Sequence, residues 1–398
     1  MMAIISDWIL FLVSFALAFQ VFTLINYLRN RYYITAIPKE NQKKDDSSTS
    51  SIISVCIPAR NEAHNIEKTI DSLLKQTRAP LEILVLDDQS TDGTLALVQE
   101  IAQNHATVNV FIGKEKPTQW LGKNWACHQL SQHAKGSVLL FLDADVWLST
   151  HTIDLLERQF QYFDAITVWP QQILGSFFEH LVVPGVYYSL LTLFPAAYIN
   201  QKPRWLPKGI YPYVKHLFTA ANGQFLAIKK TPYHEIGGHQ SVKSEVVDDM
   251  ALAKNLTLAD FRLGMFHGAH TVYCRMYKNA KEVWEGFSKN FMSGFPNSIV
   301  FIMMAMVHII CFIFPFLFVF IPALRLHSTA PDCVLYASVV SVAIFTFIRI
   351  HLSTVFKWKQ SFSFFHVGTV LWFQILGIVL LWKRIIGKKN RWKGREIS

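Results

Sequence analysis

Apolar residues are concentrated at the two ends of this chain of 398 residues, and that distribution constrains its fold more than any other feature. One apolar block covers about residues 9–28, and three more follow near 298–323, 334–349 and 364–382. A helix of about 20 apolar residues can cross the hydrocarbon core of a bilayer. The mixed-polarity stretch between the blocks therefore predicts one water-exposed domain framed by membrane segments.

The first block is expected to be an uncleaved anchor, residues 1–30. No Lys or Arg precedes it, whereas a secretory signal peptide starts with basic residues. Asp7 lies before the block and Arg29 and Arg31 follow it, and basic flanks favour the cytoplasmic side. The sequence thus predicts a multi-pass protein of the cell (plasma or inner) membrane, with the middle of the chain in the cytoplasm.

The apolar segments within 297–383 are expected to make two or three crossings, and the charge of the tail conflicts with the larger number. Three crossings would put the tail, 384–398, outside, yet the run KRIIGKKNRWKGREIS contains seven Lys and Arg and favours the inside. One late segment, around Pro315 or the short stretch 334–349, is therefore a candidate for a re-entrant path. The net charge of the chain is +10, and its basic residues are concentrated beside such apolar segments. This placement favours the lipid bilayer as a partner and argues against nucleic acid.

Between the anchors, a polar linker (31–51) is followed by strand-like and helix-like patterns that alternate. Apolar runs typical of strands lead into the segments ARNE, LDDQSTDGT and LDAD, and helical spacings follow the first two. This alternation predicts an α/β fold with a mostly parallel sheet. Ligands of such sheets lie beyond the carboxyl ends of the strands. The polar clusters Arg60–Glu62, Asp87–Asp88 and Asp143–Asp145 are therefore expected to line one crevice.

Several carboxylates in one crevice favour a divalent cation. Mg²⁺ and Mn²⁺ prefer carboxylate oxygens and often share their coordination with substrate phosphates. Asp143 and Asp145 flank one small residue, although a plain turn is the alternative for such a triplet. Asp87 or Asp88 could accept a hydrogen bond from a nucleobase N–H. The chain lacks a Gly-x-x-x-x-Gly-Lys-Ser/Thr loop, which argues against a P-loop NTPase.

The segments ISVCIPARNEAHNIEKTIDSLLKQ, LEILVLDDQSTDGT, FLDAD and SEVVDDMALAKNL resemble the family-2 glycosyltransferases that have a GT-A fold. The resemblance covers roughly residues 52–262, with the motifs in the family's order. It implies a Rossmann-like GT-A domain, placed at 52–296, with one N-terminal and two to three C-terminal transmembrane helices. It also implies inverting transfer of a single sugar from a nucleotide-sugar donor, expected to be a UDP-sugar, with Mg²⁺ or Mn²⁺ as cofactor.

The resemblance also assigns roles by position. Asp248 and Asp249 match the family's acidic pair, whose second member is the general base; alone, the pair would simply open a helix, where Asp is favourable. Asp143 and Asp145 match the motif that binds the metal and the diphosphate. The residues that match the nucleotide pocket are Pro58, Arg60, Glu62, Asp87 and Asp88.

Three further positions are weaker candidates. Lys123 follows Gly122 at an expected helix start and could bind a phosphate, or it could be a solvated surface residue. Arg275 and Lys289 follow the acidic pair and could supply positive charge near the diphosphate. Asp92, in contrast, is expected only to make a turn.

One motif is treated as a chance match. Gln201–Trp205 reads QKPRW and satisfies the Gln-x-x-Arg-Trp pattern of many membrane synthases, but it precedes Asp249 and contains Pro203, which would break a helix. This departure weakens the case for a processive polysaccharide synthase.

The acceptor is expected to be a hydroxyl or carboxyl of a membrane lipid. The segments WLGKNWAC and RMY…EGFSKN are similar to bacterial glycosyltransferases that act on carotenoids or other terpenoid lipids. The alternatives are a polyprenyl-phosphate or glycerolipid/sphingolipid sugar transferase, and a non-catalytic membrane assembly scaffold, which would be expected to lack the site acids. Segments near 176–198 and 281–296 are expected at the membrane interface, with core packing the alternative for the aromatic stripe of the second. The sequence leaves the sugar open.

Overall fold

A computed structural model describes residues 2–38, 52–295, 297–321, 332–386, 390–392 and 395–397. Most of the predicted linker and part of the predicted tail lie outside these residues. The chain forms two compact units. We name them the sheet unit, made of Tyr32–Ile173 and Pro195–Met276, and the helical unit, made of Met1–Arg31, Leu174–Phe194 and Tyr277–Ser398.

The sheet unit is built on one mixed sheet of eight strands in the order β3-β2-β1-β4-β7-β6-β8-β5. The pairs β1–β2, β2–β3, β1–β4 and β6–β8 are parallel, and β7 runs antiparallel to both β4 and β6. The mostly parallel sheet is as predicted. The strands are β1 Ile53–Ala59, β2 Glu82–Asp87, β3 Val108–Ile112, β4 Val138–Leu142, β5 Val146–Leu148, β6 Ala165–Gln172, β7 Phe225–Lys229 and β8 Leu263–Cys274.

Helices cover this sheet, which explains why its central strands read as continuous apolar runs. Every residue of β2, β4 and β6 is buried. The helix Ile66–Leu74 buries Ile66, Ile70 and Leu73 at helical spacing. The other helices of the unit are Thr94–Asn104, Gly122–His133, Thr152–Gln159, Ala197–Asn200, Tyr211–Val214, Lys230–Glu235, Gly238–Ser241 and Asp248–Leu258, with a 3₁₀ turn at Lys215–Phe218.

The approach of residue 136 to the first strand is too close for any side chain. A Cβ added to Gly136 would lie 2.6 Å from the carbonyl oxygen of Ile52 and 2.7 Å from the backbone nitrogen of Ser54. We expect Gly136→Ala to lower the free energy of unfolding by about 1–3 kcal/mol, because backbone must shift to relieve the overlap. Gly209→Ala is the matched control, since no atom lies within 4 Å of its added Cβ. Equal thermal-unfolding midpoints in detergent for the two variants would contradict the prediction.

The helical unit contains four helical segments that are long and apolar enough to cross a membrane: Asp7–Tyr33, Ser298–Phe320, Asp332–Val355 and Gln360–Ile385. One is N-terminal and three are C-terminal, as the apolar blocks predicted, and they indicate membrane association. The elements of this unit are the helices Met2–Tyr33, Phe177–Leu193, Ala280–Asn290, Ser298–His308, Phe314–Phe320, Asp332–Val355 and His366–Ile385, a π turn Ile309–Ile313, 3₁₀ turns Phe291–Gly294 and Gln360–Phe365, and a hairpin of β9 Asn390–Trp392 and β10 Arg395–Ile397.

The aromatic stripe of the predicted segment 281–296 packs inside the helical unit. The ring of Trp284 lies 5.5 Å from that of Trp372, and the ring of Phe291 is stacked 5.5 Å from that of Phe373. Both partners belong to the helix His366–Ile385. Core packing therefore accounts for the stripe, whereas the interfacial placement of 176–198 and 281–296 stays a prediction.

Candidate functional site

The loops that follow β1 and β2 are tied together by side-chain hydrogen bonds. The guanidinium of Arg60 donates to the backbone oxygen of Asp88 at 2.6 Å, and it lies 3.9 Å from the side-chain carboxylate of Asp88. The amide oxygen of Asn61 accepts from the backbone N–H of Thr91 at 2.8 Å. Because β1 and β2 are parallel neighbours, both loops leave the sheet at the same edge. These two loops, which we name the wall, are thus held together along one side of the predicted crevice.

Two residues of this wall adopt a left-handed backbone. Asn61 has φ 55° and Gln89 has φ 59°, a conformation that costs a non-glycine residue about 1–2 kcal/mol. Strained residues of this kind cluster at ligand sites, where the surrounding structure holds them. The pattern of residue types gave no indication of this feature.

Asp87 offers an unused hydrogen-bond acceptor in the wall. Its Oδ2 accepts from the backbone N–H of Ser90 at 3.1 Å, while its buried Oδ1 has no hydrogen-bond partner among the described residues. A buried carboxylate oxygen is normally satisfied. The geometry therefore suits the predicted bond from a ligand N–H. Nearby, Pro58 is half-buried in β1, in register with Leu86, and Glu62 accepts from the amide of Asn65 at 2.9 Å.

Asp92 makes a turn, as predicted. Its Oδ1 accepts from the backbone N–H of Thr94 at 3.1 Å, and its Oδ2 accepts from that of Ala63 at 3.1 Å. These bonds cap the start of the helix Thr94–Asn104 and hold the loop after β1.

The end of β4 connects to the loop before β7 through Lys123. The ammonium of Lys123 lies 2.6 Å from Oδ1 of Asp143 and donates to the backbone oxygen of Gly223 at 3.1 Å. The backbone N–H of Asp143 also bonds the oxygen of Gln224 at 3.2 Å. Asp145, two positions on, hydrogen-bonds the thiol of Cys274. Lys123 is therefore part of the acidic cluster rather than a solvated surface residue.

The acidic pair Asp248–Asp249 begins the helix Asp248–Leu258, which we name the base helix. Gly223 lies against it: a Cβ added there would be 3.2 Å from Oδ2 of Asp249, and the Gly223 backbone N–H donates to that carboxylate. One glycine thus contacts both Lys123 and Asp249. The two acidic motifs, more than 100 residues apart in sequence, meet in one cluster.

The two carboxyls of the pair have opposite electrostatic environments. Burial acts to raise the pKa of Asp248, but the charge of Lys123 and the imidazole of His239, 3.6 Å away, lower it to about 2. Burial and the neighbouring charge of Asp248 raise the pKa of Asp249 to about 7. Asp248 is buried and Asp249 is half-buried. A half-buried carboxyl that titrates near neutrality suits a general base.

The helix Gly122–His133 holds the approach to the base helix in place. The side-chain amide of Asn124 donates to the backbone oxygens of Val242 and Glu245 at 2.8 and 3.0 Å. The same helix begins at Gly122, which places Lys123 in its first turn. The predicted helix start is confirmed. This helix carries Lys123 and also Asn124, whose hydrogen bonds hold the loop that leads to Asp249.

The donor set at the end of β4 fits a divalent cation. Asp143 and Asp145 are both half-buried and flank the buried Ala144. Mg²⁺ is commonly held by one or two carboxylates together with substrate phosphates and water. Among the residues that the structure describes, no group of three or more His, Cys, Asp or Glu side chains is placed to hold a metal ion. Two carboxylates completed by a donor diphosphate meet the requirement.

Two predicted diphosphate contacts, Arg275 and Lys289, follow the acidic pair in the sequence. Arg275 follows β8 and is exposed, within electrostatic range of Lys68. Lys289 belongs to the helix Ala280–Asn290 of the helical unit. The roles of Arg275 and Lys289 as diphosphate contacts stay predictions.

His239 was not singled out from the sequence. It is buried, its Nδ1 and backbone N–H both engage the Tyr233 hydroxyl at 2.9 and 3.0 Å, and its Nε2 faces Asp248. It therefore positions the first carboxylate of the pair. The only sequence signal was its place in GGH, upstream of the acidic pair.

Comparison with known proteins finds one matching family and several similar proteins. Residues 54–184 match the family described as Glycosyl transferase family 2. The chain is 26% identical over 283 residues, 70% of each protein, to a 4,4'-diaponeurosporenoate glycosyltransferase of Staphylococcus haemolyticus (strain JCSC1435). It is also 26% identical over 247 residues to the protein of that name from Staphylococcus aureus (strain USA300), which spans 61% of each chain.

Two solved structures are similar at low sequence identity. One is the mannosyltransferase PcManGT from Pyrobaculum calidifontis in complex with GDP-Man and Mn²⁺, with a TM-score of 0.48, 17% identity and coverage of 91% of this chain and 99% of that one. The other is S. aureus TarS 1-349 in complex with UDP-GlcNAc, with a TM-score of 0.41, 14% identity and coverage of 87% and 96%. Residues 54–184 are thus similar to the family-2 glycosyltransferases.

Proposed function

We propose that this protein is an inverting, metal-dependent glycosyltransferase that moves a single sugar from a UDP-sugar to a hydroxyl or carboxyl of a membrane lipid. The observation that carries the proposal is the Lys123 bridge. Its ammonium contacts Asp143 and the oxygen of Gly223, and Gly223 contacts Asp249. Asp143 of the donor-binding motif and the candidate base Asp249 are therefore linked through Lys123 and Gly223. A displacement at a sugar requires the donor and the base to be close together in this way.

The leading acceptor is a carotenoid or other terpenoid lipid. Two observations support this class. The relatives from S. haemolyticus and S. aureus are named 4,4'-diaponeurosporenoate glycosyltransferases, and the described residues include four helical segments suited to a membrane. We place the sheet unit on the cytoplasmic side of the cell membrane, because Arg29 and Arg31 follow the first apolar helix.

The donor is held by residues at the carboxyl ends of β1, β2 and β4. Asp87 Oδ1 accepts from the nucleobase, while Arg60 and Asp88 hold the loops around it. Asp143 and Asp145 would bind Mg²⁺ or Mn²⁺, which offsets charge on the leaving diphosphate as a Lewis acid. Lys123 adds a positive charge at the same place; although burial acts to lower its pKa, Asp143 and Asp248 raise it above the ordinary value.

The chemical step is a single displacement at the anomeric carbon. An acceptor hydroxyl oxygen forms the new bond to that carbon as the bond to the diphosphate oxygen breaks and the nucleoside diphosphate leaves. Asp249 takes the hydroxyl proton. Asp248 stays ionised, because its pKa is about 2, and with His239 it holds the start of the base helix. One displacement inverts the configuration of the anomeric carbon.

The proposal is tested with purified full-length protein in neutral detergent. The protein is incubated with a panel of UDP-sugars and a bacterial membrane-lipid extract that contains carotenoids, with Mn²⁺ or with EDTA, and the lipids are read by mass spectrometry. We expect one lipid class to gain the mass of a single hexose or N-acetylhexosamine in the Mn²⁺ sample and not with EDTA. Addition of several sugars to one lipid, or no product with any donor, would contradict the proposal.

A further inference from the structure

Arg349 is a cation that is buried inside the helical unit. It lies in the helix Asp332–Val355 and is 1% exposed. None of its three guanidinium nitrogens, Nε, Nη1 and Nη2, has a hydrogen-bond partner among the described residues. A guanidinium stays charged in proteins, and an unpaired buried charge is strongly unfavourable. An ionisable residue inside an apolar helical segment therefore points to a function.

Two polar side chains interact with Arg349, and no acidic side chain forms an ion pair with it in the described part of the chain. Tyr188 and His366 lie within electrostatic range of the guanidinium, and their rings are 4.3 Å apart. His366 is buried, and neither of its ring nitrogens has a hydrogen-bond partner among those residues. We name Tyr188, Arg349 and His366 the arginine cluster. It combines a cation and hydrogen-bonding groups but contains no anion.

A backbone irregularity borders the cluster. The π turn Ile309–Ile313 interrupts the second apolar segment, Ser298–Phe320, and π turns are frequent at functional sites. The ring of Phe312, within this turn, lies 5.1 Å from that of His366 and 6.0 Å from that of Tyr188. The carbonyl of Cys311 accepts from the side-chain amide of Gln20 at 3.0 Å, so a buried polar residue supports the turn.

The depth of Arg349 in its helix indicates where its partner comes from. Arg349 lies six positions before the helix end at Val355, which is about 9 Å along the axis at 1.5 Å per residue. The exposed residues Lys357 and Lys359 follow that end. Basic residues at the end of a membrane helix attract anionic lipid head groups. A lipid acid group is thus the kind of anion that these basic residues would attract to this end of the helix.

We propose that the arginine cluster binds the oxyanion of an anionic membrane lipid, a carboxylate or a phosphate, with the lipid chains among the apolar helices. The guanidinium presents paired N–H donors that match two oxygens of such a group. The inference goes beyond sugar transfer and is tested without a sugar donor, so its failure leaves the proposed function untouched.

The probe is cis-parinaric acid, a fluorescent polyene carboxylic acid, compared with its methyl ester. Binding to full-length protein in neutral detergent is measured at mildly alkaline pH, where the acid is ionised. We expect wild type to bind the acid at least about tenfold more tightly than the ester, since hydrogen bonds to a charged group are worth about 1.5–3 kcal/mol. Arg349→Met should abolish this preference, and Arg349→Lys should keep part of it. Ser338→Ala, on the same helix, is the control, because that hydroxyl only bonds the carbonyl of Val334.

A second variant keeps the test informative if Arg349→Met does not fold. Tyr188→Phe removes one hydroxyl and should reduce the preference for the acid several-fold. Equal affinity of wild type for acid and ester, or an unchanged preference in a folded Arg349→Met protein, would overturn the inference. Displacement of the acid by millimolar inorganic phosphate would show that a free anion, not a lipid, occupies the cluster, and would overturn it also.

Discussion

Asp249→Asn is expected to lower the turnover of sugar transfer to a hydroxyl-bearing lipid by about 10²–10⁴-fold, the usual contribution of a general base. The amide keeps the size of the carboxyl and can still contact Gly223, but it cannot take a proton. The dissociation constant of the UDP-sugar should stay close to that of wild type, because no donor-binding residue is altered. Turnover is measured as lipid glycoside formed per enzyme, and donor binding by calorimetry.

The control is Glu245→Gln, an exposed carboxylate in the loop that leads to the base helix. It removes the same charge four residues away and should leave turnover unchanged. Asp249→Asn activity within about threefold of wild type with a hydroxyl acceptor would refute the role of Asp249 as base. A loss of donor affinity as large as the loss of turnover would instead indicate that Asp249 acts in binding.

The pH dependence of turnover distinguishes the two acceptor chemistries. The pKa of Asp249 is raised to about 7, so the carboxyl is mostly protonated below that pH and ionised above it. With a hydroxyl acceptor, which must lose a proton, turnover should rise as pH increases through about 7. With a carboxylate acceptor no proton is removed and an ionised Asp249 repels it, so turnover should fall through the same range. Asp249→Asn should remove either dependence.

Local sequence patterns were sufficient to predict the edge of the sheet where the site lies. Strands β1, β2 and β4 are buried on both faces, so their apolar runs end abruptly where the chain leaves the sheet. The polar residues at those ends, such as Asp87, the last residue of β2, and Asp143, which follows β4, are therefore recognisable as neighbours in space. Parallel pairing of adjacent strands needs no information beyond this alternation.

The contacts that join the two acidic motifs could not be predicted in the same way. They depend on β7, which inserts antiparallel between β4 and β6 and brings Gly223 beside Asp143. Lys123 and Gly223 are 100 residues apart, and no local pattern encodes a pairing across that distance. The order of the motifs along the chain, compared with the family it resembles, was enough to select Asp249 as the candidate base. The residues that surround Asp249 are known only from the tertiary structure.

Arg349 illustrates the opposite limitation of hydropathy patterns. The short apolar stretch 334–349, which ends at Arg349, was a candidate for a re-entrant path. The helix in fact continues through Arg349 to Val355, and the arginine is buried among other helices. A charge thus ended the apolar run in the sequence without ending the helix.

Asp145→Asn is expected to abolish most of the stimulation by Mn²⁺ and to lower turnover by about 10²–10⁴-fold, since a Lewis-acid metal is worth several kcal/mol of transition-state stabilisation. The change removes one of two carboxylates that would bind the cation and keeps the size of the side chain beside Cys274. Turnover is measured over a range of Mn²⁺ concentrations. Asp71→Asn is the control, because that exposed carboxylate pairs only with Lys75 on the surface, a contact of small energetic value.

Comparison with Asp143→Asn separates loss of the metal from loss of the Lys123 bridge. Asp145 hydrogen-bonds the thiol of Cys274, so excess Mn²⁺ should restore part of the activity of Asp145→Asn. Asp143 holds the Lys123 ammonium at 2.6 Å, so its loss also frees that charge to move toward Asp248, and excess Mn²⁺ should restore much less. An Asp145→Asn enzyme with wild-type turnover and an unchanged Mn²⁺ requirement would show that the cation binds elsewhere. Equal rescue of both variants would show that the bridge has no part in catalysis.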